Sequence, residues 1–199
     1  MHPTSTRPTR ERILDAALDG FGTRGVEAVS LDEIAAAVGV RKQTVLYWFA
    51  SKDELLAAVI ERSADELAVA IEAAVRQAGE GFARVEAVVR AAFRPAVRRP
   101  ALLGLLRELN RLSPAMSDRL VERMGPYTGR AAAFLLGEMD AGRVRRADPQ
   151  LLVALSYATI TGVATEPKVL RAAGWVPSPS GLRHLREELI AFLRAALAA

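Results

Sequence analysis

Apolar side chains recur along this chain at spacings of three and four, and no stretch alternates apolar with polar residues as a half-buried strand must. Helix is the one regular structure that gathers such residues onto a common face, so an all-α fold is expected. Ile13, Leu14, Ala17, Leu18 and Phe21 define a first helix over about Arg10 to Arg24, with Gly25 placed to end it. Ser30-Leu31-Asp32-Glu33 has the form of a capping box, opening a short second helix that carries Leu31, Ile34, Ala35 and Val38 inward. Gly39 supplies the positive φ of a tight turn, and a third helix is expected over about Arg41 to Trp48. Ser51-Lys52-Asp53-Glu54 repeats the capping pattern at the head of a long helix that keeps helical spacing from Leu55 to Val75 and ends near Gly79.

Later boundaries fall at Gly79 to Gly81, Arg99-Pro100, Ser113-Pro114 and Asp148-Pro149; the last two pair a capping residue with a proline at the first helical position. The stretch from Thr165 to Ser180, with three prolines and a glycine, is expected to be a loop between the last two long helices. Leu151 to Ala164 is apolar on every side and must be buried all round, partly by its own domain and partly by a second copy of the chain. Gly181 to Leu197 is one-sided, with Leu182, Leu185, Leu189, Phe192 and Leu193 in one stripe. A chain of 199 residues has room for one or two domains. The expected division is a smaller helical domain over residues 8–68 and a larger one over residues 69–199.

Charge is informative by its position and misleading by its sum. The chain carries a net +4, which favours an acidic partner. Residues 1–60, however, hold seven basic side chains against eight acidic ones, so the excess lies in the other two-thirds, where charges alternate along helices as on solvated faces. In the first sixty residues the basic groups cluster at the N-terminal arm (Arg7, Arg10, Arg12) and beside two helix starts (Arg41, Lys42, Lys52).

Two short helices joined at Gly39-Val40 behind a stabilising first helix are the parts of a helix-turn-helix, whose second helix enters the major groove of DNA. The string Gly39-Val40-Arg41-Lys42-Gln43-Thr44-Val45-Leu46-Tyr47-Trp48-Phe49-Ala50-Ser51-Lys52-Asp53-Glu54-Leu55 resembles the signature of the TetR family of repressors, Gly-Val-Ser-Lys-Gly-Thr-Leu-Tyr-x-(Tyr/His)-Phe-x-Ser-Lys-(Glu/Asp)-x-Leu. The resemblance covers about residues 9–60; beyond that it extends only to length, helicity and layout. It implies that Ser30 contacts a backbone phosphate, that Lys42, Gln43, Thr44, Tyr47 and Trp48 face DNA, and that Lys52 holds a phosphate. Gln43 suits paired hydrogen bonds to adenine, and the Thr44 methyl and hydroxyl suit thymine or phosphate, while Val45 and Phe49 fall on the inward face. An arm bearing Arg7, Arg10 and Arg12 is placed to reach the minor groove.

Three positions depart from the pattern. Arg41 stands for a capping serine, Gln43 for a glycine, and Leu46 for a tyrosine that contacts phosphate; Arg41 and Gln43 are therefore expected to add DNA contacts while position 46 loses one. The alternative role for Tyr47 and Trp48 is core packing, and for Lys42 and Lys52 plain solvation.

In the second domain Phe93, Met116, Met124, Tyr127, Phe134 and Tyr157 are bulky enough to line an effector pocket, although core packing explains each of them singly. Asn110 falls inside the apolar arc of its helix, between Leu103 and Leu106, and either binds a ligand or satisfies a buried polar group; Arg107 and Glu108 fall outside that arc and are expected to be solvated.

Enzyme chemistry has little to work with. The histidines are His2 and His184, there is no cysteine, and no glycine-rich phosphate loop is present, so no nucleophile–base pair, metal site or cofactor is expected. His184 lies opposite the leucine stripe of its helix and should be exposed. The polar, proline-bearing start has no apolar run like a signal peptide, and the uncharged segment around Leu151 to Ala164 falls short of the ~20 residues of a membrane span, so a cytoplasmic protein without a membrane partner is expected. The functional expectation is a homodimeric repressor released from a palindromic operator in double-stranded DNA by a small-molecule effector. Competing readings are a regulator of the same fold controlled by a protein partner, and a helical scaffold without DNA binding.

Overall fold

The computed structural model describes residues 7–109, 113–165, 167–176 and 178–197, and all of its regular structure among them is helical. The order is α1 (Thr9–Arg24), α2 (Leu31–Val38), α3 (Lys42–Trp48), α4 (Lys52–Gln77), α5 (Phe82–Arg98), α6 (Ala101–Glu108), α7 (Pro114–Asp140), α8 (Pro149–Thr165), α9 (Pro167–Ala172) and α10 (Pro179–Leu197).

Local chemistry places the early boundaries. Gly25, at φ 85°, ends α1, and its N–H donates to the Phe21 carbonyl. The capping box at Ser30 is complete: the Glu33 N–H donates to Ser30 Oγ at 3.2 Å and the Ser30 N–H to Glu33 Oε2 at 2.7 Å. Gly39, left-handed at φ 75°, turns the chain into α3. The box expected at Ser51 forms only by half. Ser51 Oγ accepts the Glu54 N–H at 3.1 Å, but Glu54 Oε1 lies 3.6 Å from Arg119 of α7. A cation from a distant helix has taken the carboxylate that would otherwise turn back on the cap.

Two later expectations need correction. The stretch between α8 and α10 is not all loop, because Pro167 opens the short α9. Helix α10 begins at Pro179 rather than Gly181, with the Ser178 carbonyl accepting the Leu182 N–H at 2.8 Å and Ser178 Oγ the Gly181 N–H at 3.0 Å. In both places proline occupies the first turn, where a missing N–H costs nothing.

The largest core joins α1, α2, α3 and the first half of α4 through Ile13, Leu14, Leu18, Phe21, Ile34, Val45, Leu55 and Val59. Leu105 of α6 is buried in the same core. Helices α1 and α6 cross almost backbone to backbone: a Cβ added to Gly104 would stand 1.7 Å from the Gly22 carbonyl oxygen, and one added to Gly22 2.1 Å from that of Ala101. Glu108 corrects the expectation of a solvated side chain. It is only 6% exposed, and its Oε2 accepts the Val26 N–H at 3.4 Å. The partner is backbone 82 residues upstream, which a helical wheel cannot register. Arg99, just before α6, donates to Asp19 Oδ1 at 2.9 Å and to Asp15 Oδ1 at 3.4 Å on α1.

The C-terminal helices enclose two smaller cores, one around Val85, Met139, Val144 and Leu197, the other around Val89, Phe93, Leu189 and Ile190. Phe192 does not join the leucine stripe of α10; it is 68% exposed. Ile190 takes the inward position instead, because Leu182, Leu189, Ile190 and Leu197 form the face that meets α5 and α7.

Candidate nucleic-acid interface

Helix α3 hangs on two inward anchors four residues apart, Val45 and Phe49, both buried against α1 and α4. With those fixed, a pitch of 3.6 residues turns Gln43 and Tyr47 straight outward and puts Lys42, Thr44, Leu46 and Trp48 on the flanks. Arg41, Lys42, Gln43, Leu46, Tyr47 and Trp48 are exposed, and Thr44 is half-buried. Tyr47, 79% exposed, and Trp48, 44% exposed, are not core aromatics; their rings meet edge to face at 5.3 Å.

The charged candidates differ in what they already touch. Lys42 Nζ donates to Asp32 Oδ2 of α2 at 2.9 Å, an exposed pair. Arg41, at the N-cap of α3, makes no side-chain cap bond. Lys52 opens α4, half-buried, and forms no ion pair among the described residues. Its ammonium sits at the positive end of a 26-residue helix, where an anion would relieve it. Ser30 is exposed but occupied: its hydroxyl donates to Glu33 Oε2 at 3.0 Å. The Ser30 N–H, then Arg24 and the Ser30 hydroxyl, hold the Glu33 carboxyl down at about 2. A phosphate meeting Ser30 must therefore share it with a permanent anion.

The arm residues are engaged with the protein. Arg7 pairs with Asp15 at 2.7 Å. Arg10 pairs with Glu11 at 3.1 Å and lies 5.4 Å above the Phe49 ring. Arg12 donates to the carbonyl of Val38, fastening α1 to the end of α2.

An open groove of about 440 Å³ runs beside α3, lined by Arg10, residues 46–50, Glu54, Ala57, Ala58 and Glu61, and reached from α7 by Arg119. No local signal in the sequence links Arg119 to α3; the packing of α7 on α4 brings it there. Leu46, expected only to lack a phosphate contact, flanks the outward surface, as position 46 must once Val45 and Phe49 face inward.

Four of the seven effector candidates have described side chains, and their surroundings differ. Phe93 is buried between α5 and α10, and Phe134 is half-buried against the Val85 and Met139 core. Tyr127 Oη donates to Asp65 Oδ1 of α4 at 3.0 Å, whereas Tyr157 is exposed on α8. Asn110 lies outside the described residues, as do the side chains of Met116 and Met124. His184 is exposed.

Residues 13–59 match the family model described as bacterial regulatory proteins of the tetR family. The HTH-type transcriptional regulator RutR of Escherichia coli K12 is 28% identical over 151 residues, covering 75% of this chain and 71% of that protein. Among solved structures, a regulator from Saccharomonospora viridis in complex with choline superposes with a TM-score of 0.79 at 20% identity, covering 96% of this chain and 97% of its own. FadR from Bacillus subtilis in complex with stearoyl-CoA superposes with a TM-score of 0.75 at 16% identity, covering 90% and 97%.

Proposed function

We propose that this chain, whose residues 13–59 match the TetR-family helix-turn-helix model and which is similar over 151 residues to a transcriptional regulator, is a cytoplasmic homodimeric repressor of that family, released from a palindromic operator by a small-molecule effector. The observation that carries the reading is the outward face of α3, presenting Gln43 and Tyr47 from a helix whose opposite side is locked by Val45 and Phe49. Lys42, Thr44, Trp48, Arg41, Ser30 and Lys52 complete the proposed DNA-contacting set, with Lys52 and Ser30 on phosphates and Gln43 on a base edge.

Dimerisation is proposed through α8 and α10. Leu151, Leu155, Tyr157 and Phe192 are each more than half exposed in one chain, an apolar surface that a twofold partner would cover. The same twofold axis would set two recognition helices about one DNA turn, ~34 Å, apart. No helix of the described residues is long and apolar enough to cross a membrane.

Two structural neighbours, one solved in complex with choline and the other with stearoyl-CoA, motivate a small-molecule effector here. Phe93, Asn110, Met116, Met124, Tyr127, Phe134 and Tyr157 remain the proposed lining. Release would act through α4, which starts at the DNA with Lys52 and is gripped along its length by α7: Arg119 at Glu54, Tyr127 at Asp65 and Arg130 at Glu72, the last at 2.9 Å. An effector that favours one spacing of the two α3 helices lowers operator affinity by that preference.

Gel retardation on the DNA flanking the protein's own gene tests the reading, with choline and stearoyl-CoA added both there and in thermal-shift assays. Retardation of that DNA well beyond unrelated duplex is expected. Equal, weak retardation of both would overturn the repressor.

A further inference from the structure

We infer that Leu46 reads sequence by seating its side chain against the 5-methyl group of a thymine in the major groove, an inference that rests on the DNA-binding reading of α3. Three consecutive large side chains leave the core at Leu46, Tyr47 and Trp48. Tyr47 and Trp48 each carry a polar atom for a phosphate or base edge, but Leu46 has none. It is 38% exposed while its neighbours Val45 and Phe49, 0% and 5% exposed, fill the core positions that a leucine would otherwise take. Its position one turn after Gln43 puts both on one side of the helix.

The major groove offers one apolar group among its donors and acceptors, the thymine methyl. An isobutyl side chain flanking the outward axis of α3 has no other complementary partner there: it cannot bind phosphate, and a cytosine amino group or guanine oxygen against it would lose its water without replacement. Residues at i and i+3 stand about 5 to 6 Å apart at their Cβ atoms, and base pairs stack every 3.4 Å or so. If Gln43 holds an adenine, the thymine read by Leu46 therefore lies one or two base steps from it. Position 46, which lacks the tyrosine hydroxyl of the family pattern, exchanges a contact blind to sequence for one that discriminates.

The test begins with sites enriched by the full-length protein from a randomised duplex pool. Each thymine of the enriched site is then replaced in turn by deoxyuridine, which removes only the methyl. At one thymine per half-site, within two steps of an adenine, uracil is expected to weaken wild-type binding about fourfold, the value of one methyl group withdrawn from water. Leu46→Ala, which removes the contact from both half-sites of a dimer, should bind the thymine site about sixteenfold more weakly and be indifferent to uracil there, whereas Leu46→Met, which keeps the apolar reach, should retain the uracil penalty. A wild-type protein insensitive to uracil at every position, or a Leu46→Ala variant that keeps the full penalty, overturns the inference while leaving DNA binding intact. A pool that yields no enriched sequence overturns the DNA-binding reading itself, and this inference with it.

Discussion

Replacing Gly104 by alanine should uncouple α6 from the helix-turn-helix core. The added Cβ would stand 1.7 Å from the carbonyl oxygen of Gly22 and 2.6 Å from its carbonyl carbon. Carbon and oxygen pack no closer than about 3.3 Å, so α1 and α6 must part by roughly 1.5 Å. The obstacle is backbone on both sides and no rotamer relieves it. A gap of half that size already forfeits up to about half of the local dispersion energy. Leu105, 4% exposed, loses part of a burial contribution of about 1.5 to 3 kcal/mol, and overpacking strain adds about 1 to 3 kcal/mol. The 3.4 Å bond from the Val26 N–H to Glu108 stretches as well. A net destabilisation of about 2 to 4 kcal/mol follows, which for a chain of this length lowers the melting temperature by roughly 5 to 15 °C.

Circular dichroism at a fixed protein concentration measures it, because any self-association makes the melting temperature depend on concentration. The control is Gly129→Ala in the middle of α7, where an added Cβ meets nothing within 4 Å. That change should stabilise by about 0.5 to 1 kcal/mol through helix propensity. Equal effects of the two substitutions, or an unchanged melting temperature for Gly104→Ala, would refute the close-crossing account.

Lys52→Ala and Gln43→Ala should damage DNA binding differently in anisotropy titrations across a salt series. Losing Lys52 weakens binding to operator and random duplex alike and flattens the log–log salt slope by roughly 0.9 per contact, whereas losing Gln43 costs about 1 to 3 kcal/mol on operator and little on random DNA; equal losses for Gln43→Ala would require a different register for α3. Asp32→Asn releases Lys42 from its exposed ion pair and should raise affinity for any duplex by about two- to fivefold in the same titrations. Glu138 is buried and accepts from Arg143 at 2.7 Å, Arg84 at 3.4 Å and the Gly81 N–H at 3.0 Å. Arg143 first, then the Gly81 N–H and Arg84, hold its carboxyl below the ordinary 4.5 despite burial. That contribution is complete above the unfolded value and is lost as pH falls through the folded one, so Glu138→Gln should cost about 1 to 3 kcal/mol near neutrality and flatten the acid limb of a urea-stability profile.

The sequence by itself determined the helices, most of their ends and the inward faces of the first four. Ser30 with Glu33, Gly25 and Gly39 act on backbone groups within about four residues, and the spacing from Val45 to Phe49 fixes which side of α3 is free, so these features need no knowledge of the rest of the chain. The helix starts at Pro167 and Ser178-Pro179 are written in the same local code, obscured by the surrounding prolines that also signal a loop. What tertiary structure decided is every property set by a partner remote in sequence. Glu108 is buried because the Val26 N–H needs an acceptor, Lys42 is paired because Asp32 stands across the turn, Arg12 serves the end of α2, Glu54 turns from its cap toward Arg119, and Phe192 yields its place to Ile190. A helical wheel gives each residue a direction around its own axis. Which backbone, charge or ring waits in that direction is fixed only when helices far apart in the chain are packed together.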